Sequence, residues 1–140
     1  MNRLPLALLC FAAACGTTTR FVATNPSPHP LTAKQPLQVD IYTTGSPDVE
    51  YVEVGIIQTR QASSLSTKDM PGIISDMRSQ AAKIGCDGVI INGAADKHES
   101  STTVTETSVS SSNATLEGFW GACIVYLSPQ ETSGATAAVE

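Results

Sequence analysis

Between Met70 and Asn92 the apolar positions change period, and the change predicts two successive elements. Met70, Ile74, Met77, Ala81 and Ile84 recur at alternating steps of four and three, which lines one face of an α-helix. Asp76, Arg78, Ser79 and Lys83 fall elsewhere on its surface. Asp69 suits the N-cap, with Pro71 in the first turn; Ser66 and Thr67 are the other cap candidates. Gly85 stands where a helix end commonly takes a left-handed residue. The β-branched run Gly88–Asn92 that follows is too short for a second helix and suits a buried strand.

Elsewhere the period is two. Leu37, Val39 and Ile41 alternate with Gln38, Asp40 and Tyr42, which predicts a half-buried strand over 37–44. Gly45-Ser46-Pro47-Asp48 has turn chemistry. A second strand over 49–60 then puts Val52, Val54 and Ile56 inward and Glu53 outward, and the two strands are expected to form a hairpin. Gly55 within the second strand marks a bulge or a close backbone approach. From His98 to Thr115, eleven of eighteen residues are Ser or Thr, too polar for a core; an exposed strand over 102–109 and a mobile loop over 110–114 are expected. Residues 116–127 are apolar on both faces, as in a strand that is central or covered twice. The fold class is therefore α+β, a single amphipathic helix packed on a small, mostly antiparallel sheet. Its order is strand-strand-helix-strand-strand-strand, within a domain at 37–127. Residues 15–36, with Pro26, Pro28, Pro30 and Pro36 and no apolar period, read as an extended tether reaching up to ~60 Å. Residues 128–140 read as a disordered tail.

The N-terminus changes this picture most. Arg3 gives a positive start, and residues 4–14 are apolar except for Pro5, which suits the core of an export signal over 1–14 and is too short to span a bilayer. The sequence Ala12-Ala13-Ala14-Cys15-Gly16 resembles the lipobox of bacterial lipoproteins, which implies a lipidated (palmitate-bearing) Cys15. An ordinary secretory signal cut nearby is the alternative. Gly16 is not the Asp that signals inner-membrane retention in that family, so the resemblance implies the outer membrane, with the domain facing the periplasm.

Charge and chemistry narrow the classes. A formal charge of −5 and the absence of a basic cluster argue against nucleic-acid binding. After lipidation Cys86 and Cys123 remain; an exported compartment oxidises thiols, so the pair reads first as a disulfide, with two buried thiols as the alternative. No catalytic residues, cofactor or metal site are expected. His29 and His98 lie far apart, no ligand spacing is present, and Asp96, His98 and Glu99 read as a solvated loop rather than an ion site. Nothing matches a nucleophile elbow or a phosphate loop.

Residues 78–92, Arg-Ser-Gln-Ala-Ala-Lys-Ile-Gly-Cys-Asp-Gly-Val-Ile-Ile-Asn, preceded by Val54-Gly55, resemble the helix-to-strand core of two related groups. One is the Rcs phosphorelay sensor lipoproteins of the outer membrane, which report envelope stress through protein partners. The other is the YbjQ-like domains, a group described as heavy-metal-binding. The first resemblance implies a lipid-anchored interaction module, sensory or structural, that meets the membrane through its anchor and an envelope protein through its domain, without being an enzyme. The second implies a small-ligand or metal-binding module, and some of that group form rings, which leaves a homo-oligomer open. A second cysteine pair, present in the sensor group, is missing from the domain. If the module works by contact, the expected surface is Ser100–Val109 with Tyr42 and Glu53.

Overall fold

The computed structural model describes residues 16–128; the expected signal peptide, Cys15 and residues 129–140 of the expected tail lie outside them. The order is β1 (Thr17–Ala23), a 3-10 turn (Pro36–Gln38), β2 (Asp40–Tyr42), β3 (Tyr51–Gln61), α1 (Met70–Ile84), β4 (Gly88–Ala94), β5 (Lys97–Val104), β6 (Val109–Leu116) and β7 (Gly118–Tyr126). Five strands form one sheet in the order β1-β3-β7-β4-β2, and β5 and β6 form a separate pair. Within the large sheet only β2 and β4 run parallel. The domain is α+β, one helix on a mostly antiparallel sheet.

Helix α1 begins where the Asp69 carboxylate accepts the Gly72 N–H at 3.0 Å, and it ends at Gly85, φ +104°. Its buried residues are Ile73, Met77, Ala81 and Ala82. The buried stripe is turned from the expected one, since Met70 is 56% exposed and Ile73 fully buried. Met77, Ala81 and Ala82 pack on Val54, Ile57, Val89, Cys123 and Val125 of the sheet. Burying a side chain the size of Ile or Met contributes ~1.5–3 kcal/mol, so Ile73, Ile57 and Met77 anchor this layer.

Three expectations are corrected. The first concerns the hairpin of 37–44 with 49–60, which does not form. Pro36 turns the chain into a 3-10 turn that leaves Leu37 87% exposed, and the short β2 pairs in parallel with β4 across the sheet. Alternation reveals which residues are strand-like and says nothing about their partner. Second, a register shift between Glu53 and Gly55 reverses the alternation, so that Ile57 is buried and Ile56 42% exposed. A Cβ on residue 55 would stand 2.7 Å from the Val22 carbonyl oxygen and against the Phe21 ring, so any side chain here would force a shift of backbone.

The third correction is the tether. Residues 17–23 are an edge strand along β3, from Thr17 opposite Gln61 to Ala23 opposite Gly55. The proline-bearing segment after it crosses the end of α1. There the Lys34 N–H donates to the Ala82 carbonyl at 2.9 Å, and the Lys34 ammonium meets the Asp87 carboxylate. A helix end leaves carbonyls without intrahelical partners, and this strap satisfies one of them. It passes so close to Gly85 that a Cβ there would stand 2.7 Å from the Thr32 nitrogen.

Candidate functional site

The end of the sheet holding Thr17 also holds Gln61, Gly118 and Ala94, because Thr17 faces Gln61, Arg60 faces Gly118 and Phe119 faces Ala94. The β5–β6 hairpin springs from that end. Its base is fixed by buried Leu116, by the Ala95 N–H donating to the Gly118 carbonyl at 2.8 Å, and by the Gly118 N–H donating to Asp96 at 3.1 Å. An eight-residue strand reaches ~27 Å, so the hairpin is an arm.

All residues of β5 are exposed, on both faces. What orders the arm is its own pairing. Ser101 and Ser112 hydroxyls meet at 2.8 Å, His98 Nδ1 meets the Thr115 hydroxyl at 3.0 Å, and the Thr105 N–H donates to the Ser108 carbonyl at 2.8 Å across the turn. The expected exposed strand over 102–109 is thus the tip, Val104 ending one strand and Val109 starting the next, and the loop expected over 110–114 lies inside β6. The turn Glu106-Thr107 has neither Gly nor Pro, so no turn signal in the sequence marked it. Thr105 and Ser108 form a hydrogen-bonded pair, so by alternation Val104 and Val109 direct their N–H groups outward. Both long edges of the arm are unpaired among the described residues.

The sheet face away from α1 carries a second cluster, Ala122, Ile124 and Tyr126 with Tyr42, Tyr51 and Ile90. The Tyr126 hydroxyl donates to Asp40 at 2.6 Å and lies 2.7 Å from the Tyr42 hydroxyl. Burial first, and then the hydrogen bond to Asp40, raise the Tyr126 pKa far above its ordinary value. Tyr42, expected on a contact surface, is half-buried in this chain of hydroxyls, whereas Glu53 is exposed. Sequence reasoning passed over Asp40, Lys34 and Tyr126. The spacing Asp40-x-Tyr42 puts both on one face, and nothing local announces that Tyr126 joins them. The Asp87 carboxylate accepts the Tyr126 N–H at 2.9 Å while meeting Lys34.

Cys86 and Cys123 are joined through their sulfurs, with Cα atoms 5.6 Å apart, both fully buried under α1. Asp96, His98 and Glu99 do not converge; their partners are Gly118, Thr115 and Lys97 respectively. Among the described residues no group of three or more His, Cys, Asp or Glu side chains could hold a metal ion, and no helix is long and apolar enough to cross a membrane.

No family model matches this sequence, and no curated protein does. In structure the chain is similar to a Francisella virulence factor, FvfA, known from a crystal structure in an orthorhombic form. The likeness covers 76% of this chain and 96% of that one, at 16% identity and a TM-score of 0.41, too loose to inform fold or activity here.

Proposed function

We propose that this chain is a lipid-anchored interaction module of the outer membrane, facing the periplasm, without catalysis, that meets an envelope protein through the β5–β6 arm. The observation that carries the reading is a hairpin whose first strand is exposed on both faces and whose two backbone edges are unpaired among the described residues. Such an edge offers regular donors and acceptors to a partner by strand addition. The anchor rests on Ala12-Ala13-Ala14-Cys15-Gly16, and the sensory role on the resemblance of residues 78–92 to the Rcs sensor lipoproteins. Because β1 begins at Thr17, an acylated Cys15 leaves only ~7 Å of chain between lipid and sheet. The arm, rising from the same end, then lies near the bilayer, within reach of a partner embedded there.

Two substitutions separate contact from solubility. Val104→Pro removes an outward donor and spares the ladder; Thr105→Pro removes the bond to Ser108. The Val104→Pro protein is expected to stay folded and lose its in-cell crosslinked partner. Retention of every wild-type crosslink refutes the edge as the contact surface. The anchor has its own test, since Cys15→Ser should release the exported and cleaved protein from membranes, and sedimentation of that cleaved protein with membranes would refute acylation.

A small-ligand module, the YbjQ-like alternative, is the second reading. It is favoured by a cavity of about 280 Å³ beside the arm's base.

A further inference from the structure

That cavity lies between β1, β3 and the start of β5, and its chemistry is unlike the rest of the chain. Thr18, Arg20, Gln58, Arg60, Lys97 and Glu99 line it. Three of the chain's eight Lys and Arg residues gather there in a protein of formal charge −5. Lys97 is paired with Glu99 at 2.9 Å, whereas Arg20 and Arg60 make no ion pair among the described residues. Thr18 faces Arg60, and Arg20 faces Gln58. The two arginines therefore occupy diagonal positions on one sheet face, ~7–8 Å apart at the backbone and within reach of one group between them.

We propose that this cavity is a phosphate-binding site. A guanidinium presents planar paired donors that match phosphate oxygens, and two of them converging form a bidentate clamp. The Thr18 hydroxyl and the Gln58 amide supply further donors beside it. Arg60 is half-buried without a counter-ion among the described residues, and an anion would compensate the solvation it gives up. Two sources share this chemistry, a lipid headgroup and a soluble phosphate compound. The headgroup rests on the anchor reading. Ala62, on the cavity wall, donates its N–H to the Gly16 carbonyl at 3.0 Å, so the chain leaves toward Cys15 beside the cavity.

Trp120, the chain's one tryptophan, reports on the site. It faces Gln58 in register, and Gln58 faces Arg20, which puts it ~10 Å from Arg20 on the same face; it is 38% exposed. The exported, signal-cleaved chain carrying Cys15→Ser is titrated with inorganic phosphate, with chloride at matched ionic strength, and with phosphatidylglycerol and phosphatidylcholine vesicles. A saturable change in Trp120 emission is expected with phosphate and not with chloride. Arg20→Gln and Arg60→Gln should each weaken it about tenfold, and the double variant should abolish it at an unchanged melting temperature. A response to phosphatidylglycerol vesicles at headgroup concentrations below those needed for inorganic phosphate assigns the headgroup, and a response to inorganic phosphate alone assigns a soluble compound; either supports the site. An equal response to chloride, no response to any phosphate, or a response retained in the double variant overturns it. Membrane fractionation of the wild type tests the anchor by a separate readout, so the two ideas fail separately.

Discussion

Replacing Cys86 and Cys123 by alanine cuts the covalent link between the end of α1 and the central strand β7. The two cysteines are 37 positions apart, and in the chain-entropy picture closing such a loop stabilises the fold by ~4 kcal/mol. Both sulfurs are fully buried, so truncation also leaves two voids of one heavy atom each, adding ~1 kcal/mol apiece. The total of ~6 kcal/mol rivals the whole stability of a small domain, ~5–15 kcal/mol. Reduction of the wild type isolates the first contribution, because the sulfurs stay. At ~5 °C per kcal/mol for a domain this small, the reduced protein should melt roughly 20 °C below the oxidised one. The Cys86→Ala/Cys123→Ala protein should melt ~30 °C lower or be unfolded at 37 °C. The assay is a circular-dichroism melt with and without reductant, thiols counted by alkylation and mass, and the bridge in cell-derived protein mapped without reductant. If the reduced protein, with both thiols alkylated after unfolding, melts within ~5 °C of the oxidised one, the crosslink does not hold the layers together.

Two further outcomes follow from named geometry. Gly85→Ala forces a side chain into φ +104° and to 2.7 Å from the Thr32 nitrogen, so it should lose ~2 kcal/mol or more. Gly45→Ala, at φ +73° with nothing within 4 Å, should lose only ~1 kcal/mol when both variants are unfolded in urea; equal losses would mean that the strap is not seated on the helix end. Tyr126 keeps its proton in the folded state well past the pH at which the unfolded chain gives it up, near the ordinary value of 10.0. Its contribution to stability is complete below that pH and is lost as pH rises above it, because the unfolded state then holds fewer protons. Unfolding free energies at pH 9 and 11 check the sign, and ionisation of all tyrosines at 295 nm without loss of structure would contradict it.

What the sequence disclosed was local. The helix, its Asp69 cap and its Gly85 stop follow from period and cap chemistry, and the two apolar faces of β7 announced a central strand. Pairing is not disclosed, because alternation shows a face and not a neighbour, and nothing in residues 37–44 points to β4 rather than β3. The glycine at 55 was suspected of a bulge, yet only the three-dimensional register reveals that Ile57 and not Ile56 goes inward. The tether reading failed on composition. Prolines and threonines suit both a free spacer and a strap held by Lys34 and Gly85, and the partners that decide between them are far away in sequence. Arg20 and Arg60 were invisible as a cluster for the same reason, since strand pairing alone unites them.

Strand β7, the last of the seven, occupies the middle of the sheet. A nascent chain that has not yet reached Gly118 lacks the strand that joins β1–β3 to β4–β2, so α1 alone can hold those two pairs together, with the β5–β6 hairpin standing apart. Cys86 likewise waits for Cys123. The five-stranded sheet thus stays incomplete until almost all the described chain has been delivered. A polypeptide emerging N-terminus first from a ribosome or a translocation channel therefore delivers the strand that completes the five-stranded sheet last of all.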